Sequence, residues 1–196
     1  MKKILLVVLL IVVVWGFWNY SREVSLGPGV MAPEIPLQKN LDPPISFNHQ
    51  GFTVTKIANF RIKAKVLAKE NYYFGREAEV SPTDLALGWG RMSDESILQH
   101  INITQSGRFY RWRVESFPIP RREIETHSAN MHLIPADEYV KHLIDDIREG
   151  EIIELSGSLV NVKAKDGWFW SSSLTRNDTG NGACELIWVD SLTIMK

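Results

Sequence analysis

The feature that most constrains this chain is an uninterrupted apolar run, Ile4 to Trp18, placed directly behind Met1-Lys-Lys3. A surface helix of a water-soluble domain is apolar along one stripe, whereas this run is apolar all round, which makes it a membrane segment. As a helix it is roughly 22 Å long at about 1.5 Å per residue. That is short of the roughly 30 Å hydrocarbon layer, so flanking residues must complete the span. Trp15, Trp18 and Tyr20 suit an interfacial aromatic belt, and Lys2 and Lys3 can snorkel on the other side. With the lysines inside, everything after Tyr20 lies outside the cytoplasm. The competing reading is a cleaved signal peptide, which needs a small-x-small site near the end of the run. The nearest candidate, Ser25-Leu-Gly27, lies well beyond it and is followed by Pro28. Residues 1–20 are therefore expected as an uncleaved, single-pass anchor.

Residues 21–50 hold Pro28, Pro33, Pro36, Pro43 and Pro44 with little hydrophobic periodicity. The composition predicts an extended, semi-rigid spacer that holds one domain, residues 51–196, off the bilayer. The whole chain is 44% hydrophobic and 23% charged, ordinary for a globular fold. Its net charge of -1 argues against a protein whose main task is neutralising nucleic-acid phosphates. Cys184 is the single cysteine, which excludes an intramolecular disulfide and a Cys-based zinc site. No metal or cofactor is expected.

Within the domain, alternation over Phe60 to Ala68, with Arg61, Lys63, Lys65 and Lys69 between, predicts a half-buried strand with a basic outer face. Ser81-Pro82-Thr83-Asp84 has the form of a helix start capped by Ser81. Trp89, between Gly88 and Gly90, is expected to plug the end of a core. Ser93-Asp94-Glu95 opens a second short helix with acidic groups at its positive end. Phe109 to Val114 alternates aromatic and basic residues, a strand with one packed and one charged face. From Pro135 to Gly150, acidic residues open a helix, Gly150 closes it, and Tyr139, Val140, Leu143, Ile144 and Ile147 form its apolar stripe. His127 and His132 are weak candidates for a general base. Five positions apart, they fall on opposite faces of a strand or about 140° apart on a helix, so neither geometry chelates a metal.

The closing stretch reads as three strands. Gly157 allows a bend in the first, Asp166-Gly167 is a hairpin signal before Trp168 and Trp170, and Ala183 to Val189 is the third. Alternation puts Cys184 in the core with Leu186 and Trp188, and sets Glu185 on the other face, where Arg176 is its candidate partner. Asn177-x-Thr179-x-Asn181-Gly182 imitates a calcium loop, but its twelfth position is Trp188 and its ligands lack charge. Gly180-x-Gly182 imitates a nucleotide turn, but a strand follows it rather than a helix. Neither motif carries its chemistry here. The fold class expected is α+β: an antiparallel, barrel-like sheet, of a kind the oligonucleotide- and oligosaccharide-binding barrels share, with two or three short helices.

The stretches 81–90, 127–132 and 173–185 resemble those of a group of bacterial membrane-anchored proteins without an assigned activity. The resemblance implies a bacterial envelope location, which together with the anchor predicts a single-pass inner-membrane protein with its domain outside the cytoplasm, and it brings no functional residue with it. From the residues themselves, a binding surface for a partner protein or an envelope polymer is expected over Trp168, Trp170, Arg176 and Asp178. An envelope hydrolase with a histidine base, and a single-stranded nucleic-acid binder, are the alternatives.

Overall fold

The computed structural model describes residues 23–176, 180 and 182–195. The expected anchor over 4–18, and Asp178, lie outside the described residues. No helix among the described residues is long and apolar enough to cross a membrane.

The architecture is α+β and sheet-rich. Its spine is β2 (Phe52–Asn71), the strand that alternation predicts: Ala58, Phe60, Ile62, Ala64 and Val66 all turn into the main core. One edge of β2 pairs antiparallel with β7 (Ile152–Lys163). The other pairs with β1 (Leu37–His49) and then with β3 (Thr83–Gly88). β3 pairs with β6 (Ser128–Pro135), β6 pairs in parallel with β9 (Glu185–Met195), and β9 pairs with β7. The order β2-β3-β6-β9-β7 thus returns to β2 and closes a ring, with β8 (Phe169–Ser171) added beside the end of β7. A separate hairpin, β4 (Asn102–Ser106) and β5 (Phe109–Arg113), stands outside the ring.

Gly157 is needed where β7 crosses β9. A Cβ there would lie 1.9 Å from the Trp188 carbonyl oxygen, and the pairing register slips between Ser156 and Gly157. The bend expected from this glycine is a bulge that lets the strand close on its neighbour.

Four short α-helices occur among the described residues, α1 (Arg76–Val80), α2 (Glu95–Leu98), α3 (Arg121–Thr126) and α4 (Glu138–Asp146), with one 3-10 turn at Gly90–Ser93. Asp94 caps α2 by accepting from the Ser96 amide, and Asp137 caps α4 by accepting from the Val140 amide. α4 lies between β6 and β7 and presses Val140, Leu143 and Ile144 onto the core, while Tyr139 turns outward. Trp89 is buried in the same core, as its position between glycines suggests.

Several expectations are corrected. Ser81 does not start a helix; it ends α1, and Thr83–Gly88 is a fully buried strand. A six-residue strand buried on both faces needs no alternation, and pairing with β2 and β6 overrides the cap-like Ser-Pro. The boundary at residue 51 also moves. Residues 37–49 form β1, an edge strand whose register breaks between Asn40 and Ile45, where Pro43 and Pro44 have no amide to donate. Upstream of it, Val24 to Ala32 is a strap on the domain. Its contacts run from the Val24 amide to Glu149 O (2.8 Å) to a fully buried Ala32, whose amide donates to Ser93 Oγ (3.0 Å). Proline content signals an extended chain, but not whether that chain is docked. The basic face of β2 is also interrupted: Lys65 is 1% exposed, its Nζ held by Glu95 and by Gly150 O, each at 2.8 Å.

Candidate functional site

Along β3 and β6, Leu85, Leu87, Met131 and Leu133 enter the core, so alternation turns Asp84, Asn130 and His132 to the outer face of the ring. The β4–β5 hairpin lies across that face. Arg108, at its turn with φ 72°, is the pin. Its guanidinium donates to Asp84 Oδ1 (2.7 Å) and Ser81 O (2.9 Å) and stacks 3.7 Å over the Tyr72 ring. Its amide donates to the Tyr72 hydroxyl (2.9 Å), and its carbonyl accepts from Asn130 (3.0 Å). Burial holds the Tyr72 phenol above its ordinary pKa, opposed by the Arg108 amide. Asp84 is fully buried, and His132 Nδ1 lies 2.9 Å from its Oδ1. That contact misses hydrogen-bond alignment, so His132 Nδ1 and Asp84 Oδ2 both lack a hydrogen bond. Trp170 covers His132 with ring centroids 4.7 Å apart.

Beside this covered face, the hairpin and the rim of the ring leave an open cleft of about 620 Å3. One wall is Phe109, Tyr110, Arg111 and Trp112 of β5; the other is Asn130 with Arg176, Gly180, Ala183, Cys184 and Glu185. Ser128 Oγ donates to Ile124 O (2.6 Å), so its contact with the Tyr110 hydroxyl (2.7 Å) has tyrosine as donor. Burial pushes the Tyr110 phenol up; the Ser128 bond opposes this, and nearby Cys184 and Glu185 add to it. Tyr110 is thus a neutral, fixed wall. Arg121 is paired with Glu125 (2.8 Å), and Arg176 donates to Glu185 (3.2 Å) and to Gln38. Among the described residues Arg111 reaches only a hydroxyl, Ser106 Oγ at 3.2 Å, and it is exposed.

The expected site residues that are described do not all converge. Arg176 lines the cleft and pairs with Glu185, the partnership its sequence position suggests. Trp168 and Trp170 lie 6.1 Å apart in a separate aromatic group, with Trp168 against Phe52 and Trp170 against His132. His127 ends α3, its Nδ1 near Glu123 O (3.2 Å) and Thr126 Oγ1 (3.1 Å). Cys184 is not in the core. It shares the outer face with Leu186 and Trp188 as alternation requires, but it precedes β9 and is only half-buried, with Asn130 Nδ2 at 3.8 Å and Arg108 O at 3.9 Å.

Sequence reasoning passed over Arg108, Asp84, Tyr110 and Arg111 as site residues. The signals present were Asp84 inside an otherwise apolar run and the aromatic-basic alternation of β5. The serines near the cleft shape the turn. Ser172 Oγ donates to Ser173 O (2.9 Å) and accepts from the Leu186 amide (3.0 Å), and Ser171 Oγ donates to Asn161 (2.8 Å). Among the described residues no group of three or more His, Cys, Asp or Glu is placed to hold a metal ion. Comparisons with family models, curated proteins and solved structures give no match.

Proposed function

We propose that this chain is a bacterial envelope protein, tethered by its apolar run at 4–18, whose outer domain is a binding module of the oligonucleotide- and oligosaccharide-binding type. Its ligand is a partner protein or an envelope polymer. The closed five-strand order, with β6 and β9 its one parallel pair and α4 between β6 and β7, supports the fold assignment. Barrels of that plan bind ligand on the face of their second and third strands and between flanking loops. Here those strands are β3 and β6, and the loop from the fourth to the fifth strand supplies Arg176, Ala183 and Cys184.

The observation that carries the reading is where the cleft lies. It opens at the edge of that face, floored by Asn130 and walled by three aromatic rings and Arg111. Flat rings and an uncommitted guanidinium take sugars, or the acidic segment of a protein, by stacking and charge. His132, buried under Trp170, has no open path to a substrate, which disfavours the hydrolase alternative. The test is site-specific photocrosslinking of the full chain in bacterial cells. A photoreactive phenylalanine at Phe109 should capture a discrete species that the same group at Phe117, exposed outside the cleft, does not. Identical capture at both positions would count against the cleft.

A further inference from the structure

Tyr73 and Phe74 form the tip of the connection from β2 to α1, and they are 79% and 93% exposed. Leaving rings of this size in water forgoes the burial that draws large apolar side chains inward. Two adjacent rings this bare invite a surface to cover them.

The strap indicates which surface lies near. Glu23 lines a recess with Leu67, Ile103 and Glu149, so the chain preceding Val24 leaves the domain beside the outer face of β2. Glu149 also accepts from the Lys69 amide (3.2 Å), and β2 runs on from there to the tip. Phe74 lies seven residues beyond Leu67, no more than roughly 25 Å of chain. In the other direction, Trp18 is six residues before Val24, no more than roughly 22 Å of chain. The strap is pinned rather than loose. Glu95 accepts from Ser25 Oγ (2.7 Å) and from the Leu26 (2.7 Å) and Gly27 (3.0 Å) amides, and Asp94 accepts from the Gly29 amide (2.9 Å).

From this arrangement we propose that Tyr73 and Phe74 are a second membrane contact, seated in the interfacial layer of the bilayer that takes the apolar run at 4–18. The proposal rests on the tether described above. A short, pinned tether holds the tip at high effective concentration near one surface, which favours the bilayer over a diffusing partner. Aromatic rings are the side chains that settle at the headgroup level. Glu70, Glu77 and Glu79 around the tip favour zwitterionic over anionic headgroups.

The test uses the full chain with Cys184→Ser and Phe74→Cys, labelled with an environment-sensitive fluorophore and reconstituted into phosphatidylcholine vesicles. A second chain carries the label at Asn48→Cys, in β1 opposite Thr53 and so at the other end of β2. Position 74 should show blue-shifted emission and lose intensity to a lipid-borne quencher, while position 48 keeps its intensity. If the chain stays in the vesicles through an alkaline wash but position 74 is quenched no more than position 48, the tip contact is overturned and the tether stands. A chain that washes off overturns both. Shielding that appears only as protein density rises would assign the tip to a second copy and also overturn the proposal.

Discussion

Replacing Glu95 with glutamine should unlatch the strap and destabilise the domain. The carboxylate is pulled two ways. Desolvation raises its pKa, but the hydrogen bond from Lys65, the Leu26 amide, the Ser25 hydroxyl and the charge of Lys65 together win, lowering it from 4.5 to about 2. At 1.36 kcal/mol per unit, a shift of that size corresponds to about 3 kcal/mol. The side chain is 23% exposed, and solvent screening reduces this to about 2 kcal/mol. Because the folded pKa is depressed, the stabilisation is fully present above pH 4.5 and fades as pH falls from there toward about 2. Glu95→Gln keeps the shape, removes the charge, and leaves the buried Lys65 ammonium with neutral acceptors and without its counter-charge. For a domain of this size a loss of about 2 kcal/mol lowers Tm by roughly 4–8 °C. The assay is denaturation of the full chain, followed by tryptophan fluorescence between pH 2 and 7, with proteolysis at residues 24–32 reporting strap release. A variant within about 0.5 kcal/mol of the parent at pH 7, with the same acid-limb slope, would refute the latch.

Arg108→Met should cost about 3–5 kcal/mol, because it strands the fully buried Asp84. Adding Asp84→Asn should return part of that loss, and strict additivity in the double-mutant cycle would show the pair to be uncoupled. Gly157→Ala should cost on the order of 3 kcal/mol or prevent folding, since the new Cβ meets backbone that cannot swing away; a parent-like unfolding curve would contradict the close crossing. Arg111→Glu, at an exposed position of β5, should leave stability within about 0.5 kcal/mol while weakening photocapture at Phe109. Unchanged capture would remove Arg111 from the binding surface. His127→Ala should leave that capture intact, and its loss would revive a functional role for this histidine.

The sequence shows what is periodic or punctuated and hides what depends on a partner segment. β2, α4 and the Asp166-Gly167 turn follow from alternation, an acidic start and turn chemistry, all local causes. β3 was hidden because a short strand buried on both faces carries no alternation, and a Ser-Pro pair before it imitates a cap. The strap was hidden because its bonds go to Ser93, Asp94 and Glu95, far away in sequence. At the site, the pairing of Arg176 with Glu185 was legible since the two are close in the chain and one sits among apolar neighbours. The Arg108–Asp84 pin joins a hairpin turn to a strand, and only tertiary structure brings them together. Cys184 does group with Leu186 and Trp188, but alternation does not say which face of a strand meets the main core, and here it is the Ile187 and Val189 face.

The ring also has a consequence for how chains of this kind fail. β9 is the piece between β6 and β7, and it is the most C-terminal of the described strands. Until it inserts, β6 and β7 present unpaired edges separated by one strand's width, a slot shaped for the sequence from Glu185 to Met195. Anything that delays or unseats that strand leaves the slot open to the equivalent strand of a neighbouring chain. The first associated species expected under mild stress is therefore a strand-exchanged pair with native-like pairing, distinct from an amorphous aggregate.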